Sequence, residues 1–509
     1  MNRSSGIIMH ISSLPGKYGI GTFGKEAYKF GDFLRKAGQK YWQILPLGPT
    51  SFGDSPYQSF SAFAGNPYFI DFDMLERDGL LNKQDYDSIK FCENVETIDY
   101  SIMFSEKFNV LRKAYENFKL SKNQHIKEFE DKQEFWLDDY ALYMALKSHF
   151  DLKSWQTWDE DIRLREPEAI IKYKNLLHDE INYWKFLQYE FFKQWEALKT
   201  YVNILGIEII GDMPIYVAED SADVWSNPEA FLLHKTTLKP LKVAGCPPDI
   251  FSATGQLWGN PIYDWNYMDK TNYKWWVNRI RQSLNLYDVL RIDHFKGFES
   301  YWSIPYGDLT AANGEWVKGP GIKVFNAIKD ELGDVNIIAE DLGTLTEETI
   351  KLRNDTGFPG MKILTFAFDT DGSNPFLPHN YEKNFIVYTG THDNDTVRGW
   401  MEITAPKEEV QKAMQYLSLN KEEGYNWGFI RGAWSSISDI SIAQIQDFLN
   451  LGNEARMNLP STLGQNWSWR VNEDSLSDEL AEKIYTITKT YGRCKSRNNQ
   501  ISNDENAKV

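Results

Sequence analysis

Cysteine is scarce, with three in 509 residues. Cys92, Cys246 and Cys494 are odd in number and far apart. That excludes a disulfide framework and a thiolate zinc pattern, and predicts ordinary reduced thiols in a cytoplasmic protein. Long apolar runs are missing too. No stretch reaches the roughly 20 apolar residues of a membrane span, and the opening Met1 to Gly6 lacks the apolar core of a signal peptide. Positive charge is in deficit: 55 Lys and Arg against 72 Asp and Glu leave a net −17. A generic binder of nucleic acid or anionic membrane needs the opposite sign. No phosphate-cradling glycine loop, nucleotide fingerprint or cofactor-lysine motif stands out, so no cofactor is expected. No internal repeat or low-complexity block is visible.

Hydrophobic residues make up 42% and aromatics 15%, including 18 Trp. That is ample for a large core. Aromatic faces also stack on sugar rings, but packing accounts for most of them, and only those in loops near chemical candidates point to a ligand.

The chain alternates between two patterns. Apolar runs at Gly6 to Ile11, Tyr41 to Pro46, Ile207 to Asp212, Val289 to Asp293, Val335 to Glu340, Met361 to Phe368, Asn384 to Thr389 and Ser441 to Asp447 read as strands. Helical spacing falls between them. Ala27, Phe30, Leu34 and Ala37 precede Gly38, a helix stop. Trp184, Leu187, Phe191, Trp195, Leu198 and Val202 mark a long amphipathic helix ending near Gly206. Eight strands in β-α alternation predict an α/β fold, a (β/α)8 TIM barrel. Residues 1–494 form a single barrel domain in this reading, with large, mainly helical insertions at about 68–203 and 220–274. Little chain follows the eighth strand, so no C-terminal β-sandwich is expected. Residues 495–509, rich in Asn, Ser, Asp and Lys, predict a disordered tail. The stretch Asp54 to Pro67 reads as a loop on the functional rim, and Phe251 to Pro261 as a mobile loop.

Asp212, Asp293, Glu340 and Asp393 each sit at or just past the end of a separate apolar run. In a barrel such ends converge on one face, which places four acids in one pocket. Arg291 and Asp293 lie two apart, so on a strand they share a face, and the guanidinium should keep the carboxylate ionised. A structural Arg–Asp pair inside a barrel explains the local hexapeptide equally well. A metal-binding carboxylate cluster is the other rival. Arg291, His294 and His392 beside the acids suit sugar hydroxyls better, so no metal is expected. Two carboxyls of separated pKa are the minimum for cleaving a glycosidic bond. Asp293 fits the attacking group, Glu340 the proton donor raised by burial, and Asp393 a third acid that steadies developing positive charge.

These residues resemble the 4-α-glucanotransferases, or amylomaltases, of glycoside hydrolase family 77. The motifs are Asp54 to Pro67, Gly211 to Val217 with Asp220 to Trp225, Gly255 to Pro261, Arg291 to Phe295, Ala339 to Gly343 and Thr391 to Thr396. The resemblance covers nearly the whole chain. It implies Asp293 as nucleophile, Glu340 as general acid/base and Asp393 as transition-state stabiliser, with Asp395 a rival for the last role. It implies Arg291, His392 and Asp212 around the first sugar, and Tyr57, Trp258, Asn260 and Asp369 along a glucan groove. Ala253 departs from relatives that carry an acid or proline there. The expected activity is transfer of α-1,4-glucan segments to glucose or maltooligosaccharides. The alternatives are an α-amylase-type hydrolase and a glucan-binding protein without catalysis.

Overall fold

Period-two alternation sorts each strand into an inner and an outer face. In the computed structural model, which describes residues 2–121, 125–248 and 252–494, all eight expected strands are present. They are β1 Ser4–Ile8, β2 Tyr41–Gln43, β3 Glu208–Met213, β4 Val289–Ile292, β5 Ile337–Ala339, β6 Gly360–Ile363, β7 Phe385–Tyr388 and β8 Ile440–Gln444. All pair in parallel in the order β6-β7-β8-β1-β2-β3-β4-β5. The Ala339 N–H donates to the Pro359 carbonyl at 2.9 Å, which joins β5 to the start of β6 and nearly closes the ring. The predicted tail, 495–509, lies outside the described residues.

Ile8, Tyr41, Ile210, Val289, Ile338, Met361, Ile386 and Tyr388 fill the barrel interior in one apolar cluster. Their neighbours Ile7, Trp42, Ile209, Leu290, Ile337 and Val387 join a second cluster packed against the surrounding helices. This explains why the strands read as nearly continuous apolar runs: both faces are covered. The helix Lys25–Lys36 buries Ala27, Phe30 and Leu34, and Gly38 closes it at φ 68°, a left-handed turn that glycine adopts without strain. The long helix His178–Ile204 buries all six residues of its predicted stripe.

The first insertion is helical. The second is not wholly so, because Lys242–Cys246 and Gln256–Pro261 are strands. They pair antiparallel with each other, and Lys242–Cys246 also pairs with Ser300–Pro305, which in turn pairs with Glu315–Lys318. The expectation of a loop over 251–261 is therefore corrected: Phe251 lies outside the described residues, and from Gln256 the segment is a strand. Gly259, Asn260 and Pro261 within it read as turn residues and masked its pairing with the preceding strand Lys242–Cys246. Beyond β8 the described residues contain helices and turns, ending in the helix Asp478–Thr490, with no strand among them. No helix among the described residues is long and apolar enough to cross a membrane.

Candidate active site

Inner-face parity carries the acids to one place. Asp212 stands two residues after inward Ile210, Glu340 two after inward Ile338, and Arg291 and Asp293 two and four after inward Val289. Each therefore projects from the C-terminal rim toward the barrel axis. Strand-like bonds hold the rim in register: the Asp293 N–H donates to the Met213 carbonyl and the Glu340 N–H to the Ile292 carbonyl, both at 3.0 Å.

Arg291 is the hub. Its Nη1 donates to Asp212 Oδ1 and Oδ2 at 2.8 and 2.6 Å, and to Asp293 Oδ1 at 3.1 Å. The Tyr57 hydroxyl donates to Asp212 Oδ2 at 2.8 Å. Asp212 and Arg291 are buried, whereas the Asp293 side chain is 29% exposed. Glu340 is held by main chain. The N–H groups of His294 and Leu342 donate to its Oε2 and Oε1 at 2.6 and 3.0 Å. His294 reaches that position with φ 53°, an uncommon backbone state for a residue with a Cβ. Its ring meets Trp258 edge-on, centroids 4.9 Å apart. Trp258 comes from the antiparallel sheet, which so reaches the catalytic rim.

His392 is buried and stacks on Tyr57, with centroids 4.9 Å apart at 19°. Its Nε2 lies 3.3 Å from Asp393 Oδ2, and its Nδ1 lies 3.4 Å from the Tyr57 hydroxyl. The single Tyr57 proton already serves Asp212, so a bond at Nδ1 requires the ring to donate. Two donating nitrogens mean an imidazolium. Burial opposes that charge, but Asp393 outweighs it and raises the His392 pKa. Burial likewise opposes the charge on Asp393, yet His392 and the Asn458 amide, 2.7 Å from Oδ1, hold that carboxyl well below the usual range.

Asp393 and Asp395 differ sharply. The Asp393 side chain is 43% exposed to the site. That of Asp395 is 2% exposed and accepts bonds from the Thr396 N–H, Asn453 and the Thr404 hydroxyl. Asp395 clamps the loops, and Asp393 faces the opening.

Arg291 does not keep Asp293 low. Its guanidinium is shared with Asp212, and burial pushes Asp293 up to about 6 against it, helped by Glu340, Asp212 and Asp393. At about 6 the carboxyl is still mostly ionised near neutral pH, with Arg291 favouring that charge against burial. Burial also raises Glu340, against Arg291 and its two main-chain donors. Each carboxyl resists ionisation of the other, so their protons belong to the pair. Burial drives His294 down to about 4, leaving it neutral.

Asn260 is buried and donates to the Val217 carbonyl at 2.8 Å, with Gln58 3.5 Å from its Oδ1. It fixes the sheet beside the Tyr57 loop. Asp369 is exposed beyond β6 and accepts from Asn374 at 2.6 Å, so it stands on the rim rather than within the Arg291 network. Among the described residues no group of three or more His, Cys, Asp or Glu is arranged to hold a metal.

Three further residues touch the cluster. Asn458 binds the Asp393 carboxylate, Arg456 Nη2 donates to the Asp393 carbonyl at 2.6 Å, and Trp467 packs on both Tyr57 and His392, with centroids 5.7 and 5.9 Å away. All follow β8, whose loop also belongs to the functional rim. That position was the available signal, and assigning aromatics to packing by default concealed it.

The model of the 4-alpha-glucanotransferase family, glycoside hydrolase family 77, matches residues 9–476. A 4-alpha-glucanotransferase of Clostridium butyricum is 65% identical over 486 residues, 96% of this chain and 100% of that protein. One of Streptococcus pneumoniae is 51% identical over 495 residues, 96% of this chain and 97% of that protein. The amylomaltase of Streptococcus agalactiae, solved in complex with acarbose, superposes with a TM-score of 0.94 at 46% identity, covering 97% of this chain and 100% of that one. With nearly its whole length matched by both sequence and fold, the chain belongs to glycoside hydrolase family 77.

Proposed function

We propose that this protein is a 4-α-glucanotransferase, moving a segment of an α-1,4-glucan to the 4-hydroxyl of glucose or of another α-1,4-glucan. The observation that carries this reading is the Arg291 hub joining Asp212 and Asp293 on the rim that also holds Glu340 and the His392–Asp393 pair, in a chain of this family. The acarbose complex of a relative supports an oligosaccharide in this groove.

The reaction is a retaining double displacement. An Asp293 carboxylate oxygen attacks C1 of the donor glucose. The C1–O4 bond breaks, and the Glu340 proton goes to the departing oxygen. A covalent glycosyl-enzyme forms and the shortened glucan leaves. Glu340, now ionised, takes the proton of an incoming 4-hydroxyl, whose oxygen attacks C1 and releases Asp293. The step requires one proton on the Asp293–Glu340 pair, held by Glu340; burial raises Glu340, and Arg291 favours the charge on Asp293. Asp393, kept ionised by His392, opposes the positive charge growing at C1. Arg291 and His392 serve the first sugar, with Asp212, its carboxylate closed off by Arg291 and Tyr57, orienting Arg291, while Tyr57, Trp258, Asn260, His294 and Asp369 line the path of the chain. Carboxyls serve every step, and the route calls for no metal or cofactor.

Transfer competes with water at on the order of 55 M, but an aligned acceptor reaches effective molarities of roughly 10⁵ M. The walls around Tyr57 and Trp258 favour transfer by ordering an acceptor and leaving water poorly placed. The barrel and its insertions act as one catalytic unit, and three scattered thiols suit a reducing cytoplasm. Incubation with maltotriose tests the reading. Glucose plus longer oligomers is expected; shorter sugars alone, with new reducing ends, overturns transfer in favour of hydrolysis.

A further inference from the structure

Three rings at the edge of the acid cluster form a triangle. Tyr57 and His392 stack, and Trp467 packs against both, its centroid 5.7 Å from Tyr57 and 5.9 Å from His392. The two stacked rings feed different branches of the cluster. The Tyr57 hydroxyl bonds Asp212, which shares Arg291 with Asp293. His392 Nε2 faces Asp393. Neither ring can slide in its own plane without stretching one of these contacts. Stacking alone does not prevent sliding, because the burial of apolar faces has no direction. Nor does the barrel fix Tyr57, which lies on a turn rather than a strand.

Trp467 is placed to stop that movement. It is 9% exposed and adopts φ 61°. For so bulky a side chain this is an outlier, which persists only where the surroundings over-determine it. Two bonds do so. The Trp467 N–H donates to the Met457 carbonyl at 2.7 Å, and the Trp467 carbonyl accepts from the Tyr100 hydroxyl at 2.8 Å. The Met457 side chain belongs to the apolar cluster of the barrel interior. Its neighbours Arg456 and Asn458 hold the carbonyl and the carboxylate of Asp393. One residue therefore meets Tyr57, His392 and the stretch that grips Asp393, and is itself tied to the barrel.

We infer that Trp467 is a positioning residue for glucan transfer. Its ring sets the place of the Tyr57–His392 stack, and so aims the Tyr57 hydroxyl at Asp212 and His392 at Asp393. The strained backbone at Trp467 is the cost of bringing that ring in from the β8 loop. Displacements of about 1 Å in such a network lower rates by on the order of 10²-fold. The inference rests on the reaction proposed above.

The test is initial-rate measurement on maltotriose with the full-length protein, each variant assayed well below its melting temperature. Trp467→Phe keeps a ring against the stack and should retain most of the activity. Trp467→Leu keeps apolar bulk without a ring face and should lower kcat by about 10–10²-fold. Trp467→Met takes its place if that variant fails to fold. The loss should shrink when His392→Ala is already present, because one of the rings to be held is gone. Equal rates for Trp467→Phe and Trp467→Leu overturn the inference, since a residue that only fills space is served by either. Losses that add fully in the double variant overturn it too, since Trp467 would then act independently of His392. Either result, with a parent that disproportionates maltotriose, leaves the glucan reading standing. A parent that does not turn maltotriose over removes that reading and this inference together.

Discussion

Two buried arginine–aspartate pairs stand at neighbouring strand ends, and they do opposite work. Arg353 Nη1 meets Asp341 Oδ2 at 2.6 Å, and the Met361 N–H completes the carboxylate at 2.8 Å. Arg353 bonds to a single anion, with Lys362 also near enough to favour its charge, and both members of the pair are buried. Arg291 instead faces two aspartates, with Glu340 and Asp393 close enough to act on Asp293, whose side chain opens to the groove. The first pair is balanced and holds β5 to β6. The second is short of positive charge: burial raises both Asp293 and Glu340, and on Asp293 the neighbouring acids add to that rise against Arg291. The two sites differ in how many acids share one guanidinium and in exposure, with the Asp293 side chain 29% exposed and that of Asp341 3%.

Substitutions should separate the two. Glu340→Gln is expected to lower kcat by about 10²–10⁴-fold, and Asp293→Asn by at least as much, in initial-rate assays on maltotriose. Asp293→Asn should not lower the melting temperature, because it removes one of several mutually repelling acids, whereas Glu340→Gln also sets an amide nitrogen against one of the two main-chain N–H donors and should cost some stability. Arg353→Met should do the reverse: it strands a buried carboxylate, costing about 3–5 kcal/mol of stability in denaturant melts, while turnover per folded molecule changes little. Loss of activity without loss of stability in Arg353→Met would erase the distinction.

The two acids of the Asp393 loop sharpen it further. Asp393→Asn should cut turnover and leave stability nearly intact, whereas Asp395→Asn should loosen the loop and lower the melting temperature first. The smallest effect concerns pH. Activity through kcat/KM should rise with pH as Asp293, pushed up to about 6, ionises. Asp393 contributes to that rise in pKa, so removing its charge lowers the Asp293 pKa. The residual activity of Asp393→Asn should therefore keep its acidic limb at lower pH than the parent, by a fraction of a unit. A shift toward higher pH would contradict the electrostatic account.

Much of this was legible beforehand. The eight strands lie where apolar runs place them, because strands covered on both faces must be apolar at nearly every position. The rim acids are legible for the same reason: a charged residue ending such a run has only the rim to occupy. The antiparallel sheet was not legible, because Lys242–Cys246 and Gln256–Pro261 are short, are interrupted by Gly245, Gly259 and Pro261, and are completed by a strand, Ser300–Pro305, more than 50 residues beyond Cys246. Trp467, Asn458 and Arg456 escaped because nothing in their immediate neighbourhood separates a packing residue from one that touches Asp393 or His392.

By itself the chain's order of residues determined the barrel, the gathering of Asp212, Asp293, Glu340 and Asp393 at one end, and the family. Tertiary structure alone decided which of two nearby acids faces the groove, how one guanidinium is divided between two carboxylates, and how far burial lifts the catalytic pair. Periodicity and strand ends are properties of the local chain and survive in the sequence. Charge balance and solvent exposure are sums over neighbours brought from everywhere in the fold, and exist only once it has closed.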